Sequence, residues 1–463
     1  MRRKTLLTLL VMLIGALALV AAGCGGDDNG SSSGGGDTSA SGGGGGTGDI
    51  EALPSSSCSD IEYKGDGEAN VLIATDLPLQ GSSRTQTLQI VEAVRLELEA
   101  RGWKAGDQNV AFQSCDDATA QAAKWDPGKC SQNAQAYASN EKLVAVIGTF
   151  NSGCAAIIIP VLNQAPGGGL AMLSPANTYV CLTEGGPGCE KSEPDKYYPA
   201  GTRNYARVVA HDAYQGAAVA EFAQAQGIKS VYILNDKEAY GLGVATNFKG
   251  AAESLGIKIA GFAAWDPKAS NYEALMRKIG SSGADALFLG GLIDENGAQV
   301  IKDKVAVLGP NDGKVKLLMP DGFTTQQTID ESGVKNTQGA FMSIAGVPID
   351  EFKGEAAAFA DKLKEALGGK PVDPYAIYGA QAAQIILDAI ANGDGSRQSV
   401  IDGIFSTKVE NGLLGTFEIG KNGDPEQAGG AVVGFTIYRA EDKLVTETTL
   451  SPKPETVDAA RGL

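Results

Sequence analysis

Apolar and polar positions alternate along this chain in a repeating order: a short apolar run, a small polar loop, an amphipathic stretch. The clearest instance is Val144 to Thr178. Val144-Ala145-Val146-Ile147 is an uninterrupted apolar run ended by Gly148, the pattern of a buried strand. Ser152 stands where a helix should start. An apolar helix follows from Cys154 to Leu162 and is stopped by the Pro-Gly-rich turn Pro166–Gly169. A second strand, Leu170 to Leu173, leads into Ser174-Pro175-Ala176-Asn177-Thr178. Two strands thus end in small, hydroxyl-bearing loops. In an open parallel sheet such loops meet at the carboxyl edge, where ligands bind.

The same alternation fills the chain on both sides. Ala69–Thr75 reads as a strand, Thr85–Arg101 as a helix with Leu88, Val91, Val94 and Leu98 on one face, Asn109–Gln113 as a strand and Lys129–Asn140 as a helix. This is a β-α-β-α-β-α-β order, which calls for a parallel sheet with helices on both faces. A polar Gly/Pro-rich loop, Cys181 to Tyr198, interrupts it. The order then restarts with helices at Tyr214–Gln226, Gly243–Leu255, Tyr272–Ile279 and Glu295–Leu308. Between them lie strands at Ser230–Leu234, Lys258–Phe262, Ala286–Leu289, Lys316–Met319 and Ala340–Ile344. Helices at Glu355–Leu367 and Ala376–Ala391 and a strand at Val432–Arg439 follow. The second unit ends well before the chain does, so the late elements must return to one lobe or both. The fold class expected is α/β: two doubly wound lobes joined by several chain crossings, with a cleft that closes on a ligand by hinge motion.

The first residues change the picture. Arg2, Arg3 and Lys4 precede the apolar stretch Leu6–Val20 and the small residues Ala21-Ala22-Gly23, the layout of an export signal. Cys24 directly after them resembles a bacterial lipobox, with Ala21 where Leu is usual, so Cys24 is expected to carry the lipid. Gly25–Ser57, rich in Gly, Ser and Asp, reads as a flexible tether. Roughly 400 residues remain, which suits two lobes. Removing residues 1–23 takes the formal charge from −17 to −20, since that segment holds three cations and no acid. So acidic a chain does not suit nucleic acid. Apart from Cys24 there are six cysteines, and an exported chain should pair them. Many pairings are possible; order along the fold narrows them. Cys181 and Cys189 bracket a local loop, Cys130 and Cys154 flank the Val144 strand, and Cys58 is left for Cys115, tying the tether's end to the second strand. Metal binding lacks support, with no Cys-x-x-Cys and one histidine, His211.

Catalytic patterns are missing as well. Gly241-Leu242-Gly243 has Thr246 where a dinucleotide fingerprint needs its third glycine. Ser152 and Ser282 lack the glycines of a nucleophile elbow. His211, followed by Asp212 and Tyr214 at a helix start, suits a surface or capping role. No catalytic residues, cofactor or metal are assigned, and an exported enzyme is the less favoured class. Binding has positive support: Ser152 at a helix start, where free N–H groups and the helix dipole favour an anion, with Ala176 and Thr178 at the same edge. Across the cleft, Tyr240 could stack over a ligand and Asp321 could pair with an ammonium group.

These residues carry a family resemblance. VIGTFNSG, LSPANT, NDKEAYGLG, LMPDG and the helix Tyr375–Ala391 make residues 69–445 resemble a type I periplasmic binding protein of the branched-chain amino-acid (leucine/isoleucine/valine) receptor family of ABC importers. The resemblance implies that Ser152 holds a ligand carboxylate, that Ala176 and Thr178 contact carboxylate and ammonium, that Tyr240 is a cleft tyrosine and that Asp321 serves the ammonium in place of a glutamate. It also implies a disulfide near Cys130 and Cys154. Two positions depart from the family. Leu292 stands where a second cleft aromatic belongs, and the loop Pro78–Arg84 carries Arg84, which could reach an anionic ligand or face solvent.

The expected organisation is a signal peptide at 1–23, lipidated Cys24 and tether at 24–57, lobe 1 at 58–204, lobe 2 at 205–344, a return to lobe 1 at 345–425, a return to lobe 2 at 426–450 and a tail at 451–463. The expected protein is a membrane-anchored, extracytoplasmic, monomeric receptor that delivers an amino-acid-like small molecule to an ABC permease. The alternatives are an amide, urea or other small acid as ligand, or a ligand-sensing role.

Overall fold

The computed structural model describes residues 46–427 and 434–463. The export signal, Cys24 and most of the tether lie outside these residues, as does 428–433, which includes the start of the strand expected at Val432. Among the described residues no helix is long and apolar enough to cross a membrane.

Two α/β lobes are present. The first sheet runs in the order Lys104–Ala105, Gln108–Asp116, Val71–Leu77, Leu143–Gly148, Ala171–Ser174, Tyr205–Arg207, parallel except for the first pair. The second runs Lys258–Ala264, Ser230–Asn235, Ala286–Gly290, Lys316–Met319, Phe341–Ala345, then the antiparallel Phe435–Ala440 and Leu444–Leu450. Strands buried on both faces explain the unbroken apolar runs. All six residues of Leu143–Gly148 are buried. Alternate residues serve opposite core layers: Ile73 and Ile147 on one face, Leu72 and Val146 on the other. Ile233 and Tyr232 divide the second lobe's layers in the same way. Gly148 closes its strand because a Cβ there would stand 2.4 Å from the Asp76 carbonyl oxygen.

The late elements return as the pattern requires. Helices Gly354–Ala366, Pro374–Asn392 and Arg397–Phe405 place Leu363, Ile386 and Ile404 in a core layer of the first sheet, while Phe435–Ala440 and Leu444–Leu450 extend the second. Arg397 fastens the returning helices. Its guanidinium donates to the carbonyls of Tyr137, Ala138, Asn140, Leu143 and Pro166, satisfying acceptors that a helix end leaves over.

Several elements differ from the sequence reading. Ile50 and Leu53 are buried, and the Leu53 N–H donates to Gln113 Oε1 at 2.8 Å, so the end of the expected tether is packed against the first lobe. The expected tail contains a helix, Pro454–Arg461, whose Val457 and Ala460 lie in the second lobe's core. The helix expected at Glu295–Leu308 is interrupted: Asn296 takes φ 60° and the regular helix begins at Ala298. The kink frees the Glu295 carbonyl to accept from Trp265 Nε1 at 2.8 Å and lets Asn296 Nδ2 reach the Ala269 carbonyl at 2.9 Å. Strand Tyr205–Arg207 joins the first sheet, so the first lobe extends past the expected boundary at 204; three residues are too few to show a period. Disulfides join Cys58 to Cys115, Cys130 to Cys154 and Cys181 to Cys189.

Strand Tyr205–Arg207 delivers a fully buried cation. Arg207 Nε donates to Asp424 Oδ1 at 2.6 Å, and Nη1 to the carbonyls of Asn177 and Tyr179 at 3.0 and 2.9 Å. Burial alone would raise the Asp424 pKa; the Arg207 charge, then His211, and hydrogen bonds outweigh it and hold the carboxyl below the usual range. A depressed pKa stabilises the fold above the unfolded value, ~3.9, and that contribution is lost as pH falls through the lower folded value. Asp424→Ala strands Arg207 in the interior and should cost about 3–5 kcal/mol at neutral pH, read from urea unfolding; an unchanged midpoint would refute the assignment.

Candidate functional site

Every strand that matters here ends at the same edge of its sheet. In the first lobe the chain leaves Leu143–Gly148 into Thr149–Ser152, and Ala171–Ser174 into Pro175–Thr178. In the second lobe, Ser230–Asn235 runs into Asp236–Tyr240, Ala286–Gly290 into Gly291–Leu292, and Lys316–Met319 into Asp321–Gly322. The two edges face one another. Between them lies a small pocket lined by Phe150, Asn151, Ser152, Ala176, Thr178, Tyr240, Leu292, Asp321 and Gly322. Six of the seven side chains singled out from the sequence meet there.

The seventh does not. Arg84 is exposed at the first turn of helix Arg84–Ala100 and lines no part of the cavity. Its two predecessors are the ones that reach across the cleft. The Ser82 N–H and the Ser83 hydroxyl donate to the Asp294 carboxylate at 3.0 and 2.6 Å, and the Ser82 hydroxyl to Glu331 at 2.6 Å. Ser83 precedes the helix and is buried, so the short side chains turn inward while Arg84 keeps its charge in water. Lys124 adds a second bridge to Glu295.

The first-lobe wall is a pair of stitched loops. Ser174 Oγ donates to the Thr149 carbonyl at 2.9 Å and accepts from the Ala176 and Asn177 N–H groups. Asn177 Nδ2 donates to the Phe150 carbonyl at 3.0 Å. Ser152 opens helix Ser152–Asn163, and its hydroxyl accepts only from the Tyr179 N–H, at 3.3 Å. The backbone on both sides of Thr178 is pinned by Arg207, yet the Thr178 hydroxyl and both ends of the Asn151 amide are buried without a partner. Buried polar groups are seldom left so. Here they line a cavity.

The second-lobe wall is organised by acids. Asp236 accepts from the N–H groups of Glu238 and Leu292, at 2.9 and 3.0 Å, and so ties two loops together. Asp321 accepts from Tyr240 at 2.6 Å and from Tyr375 at 2.7 Å. Tyr375 belongs to the returning helix of the first lobe, so one carboxylate is held from both sides of the cleft. The Tyr240 ring is thereby fixed by its hydroxyl, a role beyond the stacking expected of it. Gly322 has to be glycine: a Cβ would stand 2.5 Å from the Gly291 carbonyl and 2.9 Å from Leu292. Burial pushes the Asp321 pKa up, against hydrogen bonds from Tyr240, Tyr375 and Gln215. Asp212, Asp236 and Glu238 are raised for the same first reason. The cleft is therefore an acid-rich space with a helix N-terminus opposite.

Sequence reading missed Asn151, Phe150, Gly322 and Tyr375. The first three sit beside residues it chose, within motifs it quoted. Tyr375 carried no signal, because a first-lobe helix reaches a second-lobe acid only in three dimensions. His211 caps helix Asp212–Ala225 by accepting from the Ala213 N–H, but it is buried rather than at the surface, and burial lowers its pKa to about 4.

A family model described as periplasmic binding protein matches residues 71–441. A Leu/Ile/Val-binding protein homolog from Brucella abortus is 26% identical over 379 residues, 80% of this chain and 91% of the relative. A leucine-binding protein from Thermotoga maritima superposes with a TM-score of 0.69 at 22% identity, covering 82% of this chain and 99% of that structure. A solute-binding protein of an ABC transporter from Rhodopseudomonas palustris, in complex with p-hydroxybenzoic acid, superposes with a TM-score of 0.67 at 17% identity, covering 83% and 98%.

Asp294 should link closure to pH. Its partners Ser82 and Ser83 lie on the other lobe, and burial raises its pKa against their hydrogen bonds. A carboxyl with a raised pKa binds its proton more tightly in the closed form. Closure is thus favoured near the ordinary carboxylate pKa, ~4, and weakened as pH rises through the raised value. Without added ligand, the radius of gyration from small-angle scattering should fall between pH 7 and pH 4, and Asp294→Asn should flatten that change. A variant as pH-responsive as the wild type would exclude Asp294.

Proposed function

The chain belongs to the periplasmic binding protein family, and from that premise we propose that it is an extracytoplasmic solute-binding protein that captures an amino-acid-like molecule between its lobes and delivers it to an ABC permease. One observation carries the ligand class. A helix N-terminus at Ser152 and a buried carboxylate at Asp321 stand on opposite walls of one cavity. The first favours an anion; the second favours a cation, because an unpaired buried charge is costly. A zwitterion satisfies both. In this reading Ser152 and the Ala176 backbone receive the carboxylate, Thr178 and Asp321 receive the ammonium, and Tyr240 and Leu292 border the side chain. Leu292, apolar and lacking an aromatic face, suits an aliphatic group. The names of the Brucella and Thermotoga relatives point the same way.

The rest of the reading follows the family. The protein needs no catalytic set or cofactor, acts as a monomer and is held at the membrane by a lipid on Cys24. Cys24 and its flanking residues lie outside the described part of the chain. A second reading keeps the fold and changes the ligand to an aromatic carboxylic acid, favoured by the Rhodopseudomonas neighbour. Asp321 weighs against it, since a simple acid brings no cation to offset the buried carboxylate.

A thermal-shift panel of amino acids, small amides and benzoates separates the readings. A ligand at ~100 times its dissociation constant should add ~2.7 kcal/mol of stability. We expect the response from aliphatic amino acids; a flat response to every amino acid would sink the ligand class. Asp321→Asn should then weaken the responding amino acid by about tenfold to a hundredfold, as loss of a charged hydrogen-bond partner does, measured by calorimetry.

A further inference from the structure

The two lobes also meet through the loop that follows Thr178. Residues 179–198 lie between strands Ala171–Ser174 and Tyr205–Arg207 of the first sheet, yet they pack on the second lobe. The Tyr179 ring rests on helix Ala239–Ser254: a Cβ on Gly243 would stand 2.6 Å from it. One turn farther along that helix Thr246 faces Gly188, where an added Cβ would stand 3.4 Å from the threonine. Pro187 meets Gly462, at the end of helix Pro454–Arg461, so closely that a Cβ there would stand 2.6 Å from the proline ring. Each of the three contacts has a glycine on one side, which lets the loop sit directly on its neighbour. Glu184 adds an ion pair, accepting from Arg461 Nη2 at 2.6 Å. None of these residues lines the ligand pocket.

The loop is built to keep one shape. The Cys181–Cys189 disulfide closes it. Glu193, its side chain 4% exposed, gathers the rest: the carboxylate accepts from the Tyr179 hydroxyl at 3.0 Å, the Glu190 N–H at 2.8 Å and Lys196 Nζ at 2.9 Å, and from the Tyr197 hydroxyl. Burial alone would raise the Glu193 pKa; the hydrogen bonds, that of Tyr197 first, outweigh it and hold the carboxyl below the usual range. The root of the loop is fixed as well. The Thr183 hydroxyl donates to Asp424 Oδ2 at 2.9 Å, and Glu184 accepts from Asn422 Nδ2 at 3.0 Å, which ties the loop to the Arg207–Asp424 pair. A stiff element rooted in one lobe and lying on the other opposes hinge motion, because either the contact or the loop must give when the lobes part.

We propose that residues 179–198 form an interlobe clasp. Held in shape by the disulfide and Glu193, the loop grips helix Ala239–Ser254 and Arg461 when the cleft is closed and releases them when it opens. It thereby sets how far the equilibrium lies toward closure before a ligand arrives, and that fraction scales the apparent affinity for any ligand. The inference does not depend on which ligand the cleft takes.

The test needs no ligand. On the purified full-length chain at pH 7, amide hydrogen exchange is followed at Ser82, whose N–H is bonded to Asp294 across the cleft. Val146, inside strand Leu143–Gly148, serves as the control. Cys181→Ser/Cys189→Ser lets the loop lose its shape, so closing must order it again. The ordering of one residue corresponds to about tenfold. Exchange at Ser82 should therefore rise about tenfold or more while Val146 exchanges as in the wild type. Glu184→Gln removes a partly exposed ion pair, which counts for less, and should raise the Ser82 rate about twofold to fivefold. The radius of gyration from small-angle scattering should rise in step. If the double serine variant does not fold, Glu184→Gln and Arg461→Gln carry the test: each should raise the Ser82 rate, and the two together no more than either, since they share one contact. An unchanged Ser82 rate would overturn the proposal. So would a rise at Ser82 matched by an equal rise at Val146, the mark of a loop that only stabilises the fold. A chain that responds to no amino acid would overturn the ligand class and leave the clasp standing.

Discussion

A buried guanidinium holds the site in place. Arg207 lies beyond the reach of water, and its charge is matched by Asp424 from a segment more than two hundred residues later in the chain. Such a pair contributes little net stability compared with an apolar substitute, but breaking it is costly. What it contributes is position. The guanidinium grips the carbonyls before and after Thr178 and the Thr183 hydroxyl beyond them. The Asp212 N–H holds the carbonyl between. A loop with no regular hydrogen bonds of its own is thereby tied at three successive carbonyls, the kind of preorganisation a polar site requires.

With the backbone held, the electrostatics of the cleft follow from desolvation. Asp212, Asp236, Asp294 and Asp321 are all shifted toward their neutral forms by burial. Closing two acid-lined walls without a cation is therefore uphill, and a ligand that carries one removes part of the cost. Differential binding of this kind is how a ligand shifts an open–closed equilibrium. Tyr375 makes the link direct, because a first-lobe hydroxyl and a second-lobe hydroxyl share the same Asp321 carboxylate.

Much of this was legible in the sequence, for a physical reason. Apolar runs of strand length separated by helical periods read as buried parallel strands, and parallel strands place their following loops on one edge. That rule leads straight to Ser152, Ala176 and Thr178, and in the second unit to Tyr240 and Asp321; Leu292 is reached only through the family resemblance. It fails where the signal is short or local rules are overridden. Tyr205–Arg207 is too brief to display a period. At Asn296 the helix breaks where Trp265 donates to the freed Glu295 carbonyl and the Asn296 side-chain amide donates to the Ala269 carbonyl. Ile50 and Leu53 fall within the stretch that reads as a flexible tether, and only the first lobe's core gives them a place to be buried. Arg84 was chosen for its charge, while the cross-cleft bonds went to the two small serines beside it.

By itself, then, the sequence determined the class of fold, the two-lobe organisation and the loops that face each other, because periodicity and strand order are properties of neighbours along the chain. Tertiary structure decided which side chains act together. The pairing of Arg207 with Asp424, of Tyr375 with Asp321 and of Ser83 with Asp294 joins residues separated by 54 to 217 positions. Burial alone gives those pairs their energetic weight. No local pattern encodes how dry a carboxylate will be, so the chemistry of the cleft appears only once both lobes enclose it.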